Sequence, residues 1–246
     1  VLLSMDSPKL IRFAIDYINN PDMKLNYEEK ILLNMFYYTF YSEIPNKQGL
    51  SSEKEGILEL VKTQEYRNEI LEILNILYER INCVPVANSY DFINPLEVHS
   101  TYTLAQIMAS YEYFDEHSKP SFREGVKYFE DKNLDIFLVT LNKSDKDFSE
   151  ATLYEDYAIN ENLFHWQSQN RDSQESKNIQ RYIHSNGRIS LFVRDYKKEN
   201  GITSPYMYLG ECEYVNHSGN KPVSFVWKLK NSIPGKFISE ANKNVL

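Results

Sequence analysis

Cysteine and glycine are scarce in this 246-residue chain, which contains two of the first and eight of the second. So few glycines leave little material for a phosphate cradle. The spacings GxxxxGK followed by Ser or Thr, GxSxG, HExxH and GxGxxG are all absent. Cys83 and Cys212 stand far apart, with no second cysteine or histidine at ligand spacing, which excludes a disulfide framework and a zinc cluster of ordinary pattern. The histidines, His99, His117, His165, His184 and His217, are scattered and read as surface or hydrogen-bonding residues rather than metal ligands. No apolar run reaches the roughly 18 residues of a membrane span, and the opening residues lack a signal-peptide pattern. The expectation is a protein of the reducing cytoplasm, with no membrane partner and no cofactor of its own. The chain opens on Val1 and enters a helical pattern almost at once, so it is expected to be a segment of a longer polypeptide.

What is present is ordinary globular composition, 42% hydrophobic and 25% charged, with a formal net charge of -8. The charge is unevenly spread. Residues 160–246 hold about 12 basic and 8 acidic side chains, so the last third is basic while the rest is strongly acidic.

Apolar residues recur at helical spacing in three stretches. Leu10, Ile11, Ala14, Ile15 and Ile18 follow Ser7 as cap and Pro8 as first helical residue. Ile31, Leu32, Met35 and Phe36 lie in 26–41, and Ile70, Leu71, Leu74 and Leu77 in 67–81. A short helix is expected at 57–62 behind a Ser51 or Ser52 cap with Glu55, and another at 104–114 capped by Thr101 or Thr103. Segments 136–141, 189–194, 206–210 and 224–229 are β-rich and bounded by turn residues. The fold class is therefore α+β. A helical bundle over 1–93, expected to couple to neighbouring domains, is followed by a β-rich, curved or barrel-like unit over 94–246.

The run Leu163 to Asn170 combines aromatics, amides and a hydroxyl, a mixture suited to holding a flat polar ring; on spacing alone the plainer and favoured reading is a half-buried strand ending in a polar loop. Several of the nineteen tyrosines, among them Tyr154, Tyr157, Tyr182, Tyr196, Tyr206, Tyr208 and Tyr214, are interleaved with Arg and Lys. Such a mixture serves phosphate neutralisation and base stacking. The polar segment 171–188 reads as a long loop between strands.

A set of ordered segments carries a family resemblance. They are Asn94 to His99 with Tyr102, Val139 to Ser144, Tyr154 to Ile159, Phe164 to Gln169, Gln180 to Tyr182, Leu191 to Arg194, Tyr208 to Gly210 and Pro222 to Leu229. Together they resemble the C-terminal domain of bacterial proteins that join a phospholipase-D-type nuclease, a DEAD/DEAH helicase and a terminal module, as in SauUSI-type restriction enzymes. The resemblance implies the target-recognition end of a type IV, modification-dependent restriction system, which binds double-stranded DNA containing 5-methylcytosine or 5-hydroxymethylcytosine. It implies a barrel like those of SRA or PUA domains, and nuclease and helicase domains upstream, where ATP and Mg would act. No catalysis is expected of this chain itself.

A base pocket built on that expectation uses Trp166 and Tyr157 for stacking and Phe192 or Tyr208 as further wall. Asp156 would accept from the cytosine amine, and His165, Ser168 and Gln169 would complete the edge contacts. Lys177, Arg181, Arg188 and Arg194 are the expected contacts to the DNA backbone. Two rival readings follow from the residues: a protein-interaction or homodimerisation module, from the acidic helical half, and an enzyme acting on a modified base through Asp156 and His165. The second lacks any accompanying nucleophile, metal set or cofactor loop.

Overall fold

The computed structural model describes residues 2–81, 84–113, 125–142 and 156–241, with side chains to Ile238 in the last segment. The chain divides into two compact units, 1–123 and 124–246. The division thus falls well beyond residue 93.

The first unit is helical: α1 (Pro8–Asn19), α2 (Tyr27–Phe40), α3 (Glu53–Leu60) and α4 (Gln64–Glu79), then the two-residue strands β1 (Val86–Ala87), β2 (Glu97–Val98) and β3 (Thr101–Tyr102), and α5 (Leu104–Ser110). Each helix starts where its sequence supplies a cap. Ser7 accepts the Leu10 amide and Pro8 follows it, Asn26 forms a capping box with Glu29, Ser52 accepts the Glu55 amide, and Thr103 pairs with Gln106. The periodic residues Leu10, Ile11, Ala14 and Ile18 are buried as expected.

Residues 94–110, expected to open the β-rich unit, instead fasten to these helices. Glu97 on β2 accepts from Ser7 Oγ at 2.7 Å and from the Lys9 amide at 3.0 Å, which places a carboxylate on the positive end of α1. Gln106 on α5 donates to Thr39 on α2 at 3.0 Å, and Asn94 donates to the Ser110 carbonyl at 2.8 Å. These polar groups are buried, and each finds its partner far away in sequence, which periodicity does not register.

The second unit holds β4 (Val126–Phe129), β5 (Leu134–Asn142), β6 (Tyr157–Ala158), β7 (Leu163–Gln167), α6 (Lys177–Ile183), β8 (Arg188–Tyr196), β9 (Lys198–Glu199), β10 (Ile202–Thr203), β11 (Tyr206–Ser218), β12 (Ser224–Leu229) and α7 (Gly235–Ala241). Its main sheet runs β4-β5-β8-β11-β12-β7-β6. β5 and β8 are parallel; the remaining neighbours on this path are antiparallel. The expected barrel is not formed, because the end strands β4 and β6 do not pair with each other among the described residues. What the chain builds is an open mixed sheet.

Strand alternation places Phe137, Val139, Leu191, Val193, Phe164, Trp166, Phe225 and Trp227 on one face of this sheet, where they form one buried cluster with Ile179 and Tyr182 of α6 and Phe237 of α7. α6 lies inside the segment expected to be a long loop. Its signal in the sequence is the three-residue step from Ile179 to Tyr182, the two buried residues of the helix, set among polar residues. Each such buried aliphatic or aromatic side chain contributes about 1.5–3 kcal/mol relative to exposure.

Candidate nucleic-acid interface

The alternation of β7 decides which of the proposed pocket residues share a surface. Phe164 and Trp166 point inward, whereas Leu163, His165 and Gln167 are half-buried on the opposite face. Trp166 is 6% exposed and lies face to face with Phe137 at 4.2 Å, with Tyr182 edge-on at 6.1 Å and Phe225 at 5.9 Å. It is a core residue, not the floor of an open pocket. The partner strand explains this: Phe225 of β12 stands directly opposite Trp166, and Trp227 opposite Phe164, so both pairs fill the interior together.

Ser168 is also buried; its hydroxyl accepts the Val223 amide at 2.9 Å and donates to the Gln169 carbonyl at 3.3 Å. It ties the end of β7 to the start of β12 and is not available to a base edge. Phe192 and Tyr208 stand opposite each other on β8 and β11, stacked at 4.7 Å and fully buried, on the face away from Trp166. They do not join Trp166 in one concavity.

The structure does bring Tyr157, His165 and Asp156 together. Tyr157 on β6 is the register partner of His165 on β7, and their rings stack at 4.6 Å with 18° between planes. Asp156 accepts the Gln167 amide at 3.0 Å, which pins the chain entering β6 alongside β7. Across β12 the same face continues through Val226 to the exposed Asn216. On one side of that row Gln167 donates to Ser224 at 3.2 Å, and on the other the exposed Lys228 stands opposite the exposed Glu213. The result is an open strip of sheet that offers ring faces, amides, hydroxyls and a cation.

The expected backbone-binding cations fare differently from one another. Lys177 is exposed at the start of α6 and Arg188 is half-buried at the start of β8. Arg181 is engaged in the interior: its guanidinium forms two 2.8 Å bonds to the fully buried Asp135 and lies 3.7 Å over the Tyr128 ring, while Tyr182 donates to the same carboxylate at 3.2 Å. Burial pushes the Asp135 carboxyl up from its ordinary range, and the two bonds from Arg181 oppose that shift. Arg194 is buried as well, donating to Thr140 at 2.9 Å and to the Ser204 carbonyl at 3.1 Å, with Tyr206 stacked 4.2 Å away. Arg181 and Arg194 are thus structural, and neither presents its charge to a phosphate. Counted over the compact unit 124–246, basic and acidic residues nearly balance, because the acidic stretch before residue 160 belongs to it.

Of the acidic run 154–157, Tyr154 and Glu155 lie outside the described residues, as does Cys83. Cys212 is buried, and burial pushes its thiol far above the ordinary range, which keeps it protonated. Among the described residues no group of three or more His, Cys, Asp or Glu side chains is placed to hold a metal ion, and no helix is long and apolar enough to cross a membrane.

Residues 96–240, well over half of the chain, match the family model described as Domain of unknown function (DUF3427). The chain belongs to that family. The DUF3427 match begins at Leu96, so it takes in β2, β3 and α5 of the helical unit as well as the whole open sheet. No curated protein matches the chain.

Proposed function

We propose that this DUF3427 chain is a DNA-recognition module, the target-reading end of a modification-dependent restriction system, and that it reads duplex DNA carrying 5-methylcytosine or 5-hydroxymethylcytosine. The observation that carries the reading is the Tyr157–His165 stack on an open sheet face, flanked by Gln167, Ser224, Asn216 and Lys228. Ring faces and amide or hydroxyl groups on a solvent-facing sheet are what base stacking and edge recognition require. The resemblance of the ordered segments to SauUSI-type enzymes supports the wider role, in which ATP hydrolysis and cleavage would belong to helicase and nuclease domains upstream, and this chain would carry no catalysis.

The near-neutral unit implies few phosphate contacts. Affinity then falls only shallowly with salt. Fluorescence anisotropy on matched duplexes, plain, methylated and hydroxymethylated, tests the reading. A preference of fivefold or more for a modified duplex is expected, since one methyl group in an apolar spot discriminates by about 1–3 kcal/mol. Equal affinity for all three rejects modification reading, and no binding rejects DNA recognition.

A second reading rests on α4, which exposes Tyr66 and Ile76 beside Glu69, Glu72 and Glu79. An apolar and acidic helix face is suited to docking on an upstream domain or a second copy. Sedimentation of the isolated chain separates dimer from monomer.

A further inference from the structure

Between β8 and β11 the chain forms a projecting ribbon. Its strands β9 (Lys198–Glu199) and β10 (Ile202–Thr203) pair with each other and, among the described residues, with no strand of the main sheet. Asn200 and Gly201 join them with φ of 50° and 80°, the two left-handed residues of a two-residue hairpin turn, for which Asn-Gly is a preferred sequence. Every residue from 198 to 203 is exposed, and a Cβ at Gly201 would meet nothing within 4 Å. The root is anchored: the Ser204 amide donates to the Lys197 carbonyl at 3.1 Å, and the buried Arg194 donates to the Ser204 carbonyl at 3.1 Å. An open tip thus stands on a fixed base.

Register decides which side chains share a face of the ribbon. Ile202 stands directly opposite Glu199, and Thr203 directly opposite Lys198. Opposed residues lie on one side of a strand pair, with Cβ atoms about 4.5–5.5 Å apart. Alternation sends Lys198 to the reverse side, so the Glu199 carboxylate shares its face with an aliphatic side chain rather than with a cation of the ribbon. Ile202 is 68% exposed. A lone exposed isoleucine is ordinary surface. Fixed beside a carboxylate at the tip of a projecting ribbon, it completes a two-part surface of one acceptor and one apolar contact.

The major groove of duplex DNA admits a two-stranded ribbon, and there cytosine displays its N4 amine as a donor with C5 beside it on the same edge. Methylation at C5 puts an apolar group next to that donor. Carboxylates accept from the amine, and apolar side chains contact a C5 methyl group. Thymine carries the methyl group but presents an acceptor in place of the amine, so a carboxylate disfavours it.

The geometry points to the β9–β10 ribbon as a major-groove reader of 5-methylcytosine, with Glu199 accepting from the N4 amine and Ile202 packed on the methyl group. Of the two modifications considered above, this apolar contact favours methyl over hydroxymethyl. The assignment rests on the DNA reading proposed above and shares no residue with the Tyr157–His165 face.

Fluorescence anisotropy of the whole chain on duplexes that differ at one base pair tests the assignment. Wild type is expected to bind the 5-methylcytosine duplex about fivefold or more tightly than the cytosine duplex. Ile202→Ala is expected to erase that ratio without changing affinity for the plain duplex, and Ile202→Val to keep it. Glu199→Gln, whose amide also donates, is expected to weaken binding to both cytosine duplexes and to improve binding to the thymine duplex, each by about threefold or more. Both positions are exposed, so melting temperatures close to wild type are expected and confirm that the variants are folded. A single strand carrying 5-methylcytosine has no groove, and wild type and Ile202→Ala are expected to bind it alike; a loss there equal to that on the duplex overturns the groove placement. A methyl preference that survives Ile202→Ala overturns the ribbon and leaves the DNA reading standing. Wild-type protein that binds no duplex, or binds all of them equally, overturns the DNA reading and the ribbon with it.

Discussion

Phe137 and Trp166 lie ring on ring, 4.2 Å apart and 18° from parallel, at the centre of the interior face of the open sheet. Strands β5 and β7 are far apart in the sheet order, so this contact closes the core over the strands between them. Trp166→Ala removes that stack and the edge contact with Tyr182, and is expected to destabilise the chain by about 3–5 kcal/mol. Denaturant unfolding measures the loss. Trp166→Ala protein with undiminished stability but lost DNA binding would restore Trp166 to a recognition role.

The Tyr157–His165 pair makes the opposite prediction. Both side chains are half-buried on the outer face, so Tyr157→Ala and His165→Ala are expected to leave the melting temperature within a few degrees of wild type. Each is expected to weaken DNA binding by about 1–3 kcal/mol, the value of one stacked base. Unchanged anisotropy curves for both variants would remove this face from the interface.

Asp135 and Arg181 form a buried pair whose members are not separately replaceable. Asp135→Asn leaves the guanidinium without its carboxylate, and is expected to cost about 3–5 kcal/mol of stability. Arg181→Lys removes the two-pronged bond and the stack on Tyr128, and should destabilise rather than merely lower DNA affinity. A variant that melts as wild type yet binds DNA poorly would show that Arg181 reaches phosphate after all.

Gly56 packs against the Tyr37 ring: a Cβ there would sit 2.6 Å from Tyr37 Cε2. Tyr37 is fully buried and its hydroxyl donates to the Glu43 carbonyl at 3.0 Å, so the ring has little room to retreat. Gly56→Ala is expected to destabilise the helical unit by about 1–3 kcal/mol despite the better helix propensity of alanine. A stabilised variant in a thermal melt would contradict the close packing.

Alkaline pH provides a second handle on that unit. Burial pushes the Tyr37 phenol up to about 12, and that of Tyr38 in the same direction, from an ordinary value of 10.0. A folded pKa above the unfolded one means that the stabilisation is fully present below pH 10 and is lost as pH climbs towards 12, because the unfolded chain ionises first. Helical circular dichroism should fall in that window together with the rise of tyrosinate absorbance, and Tyr37→Phe should flatten the dependence. Stability that stays level from pH 10 to 12 would refute it.

Local spacing was enough to read much of the architecture. Caps and three- and four-residue apolar steps marked α1, α2 and α4, and β-rich runs marked β5, β8, β11 and β12, because these signals are written into neighbouring residues. α6 escaped, since only Ile179 and Tyr182 of its seven residues are buried and so short a helix shows little period.

Alternation along Leu163 to Gln167 established that this strand has two unlike faces. It did not say which one meets the core; Phe225 and Trp227, some sixty residues later, settle that by pairing with Trp166 and Phe164. In the same way the sequence displayed Arg181 and Arg194 as cations, and only folding delivered Asp135 to one and Thr140 to the other. The physical reason is that helix and strand signals arise from bonds a few residues long, whereas burial and charge pairing depend on partners that the chain brings together only when the sheet assembles.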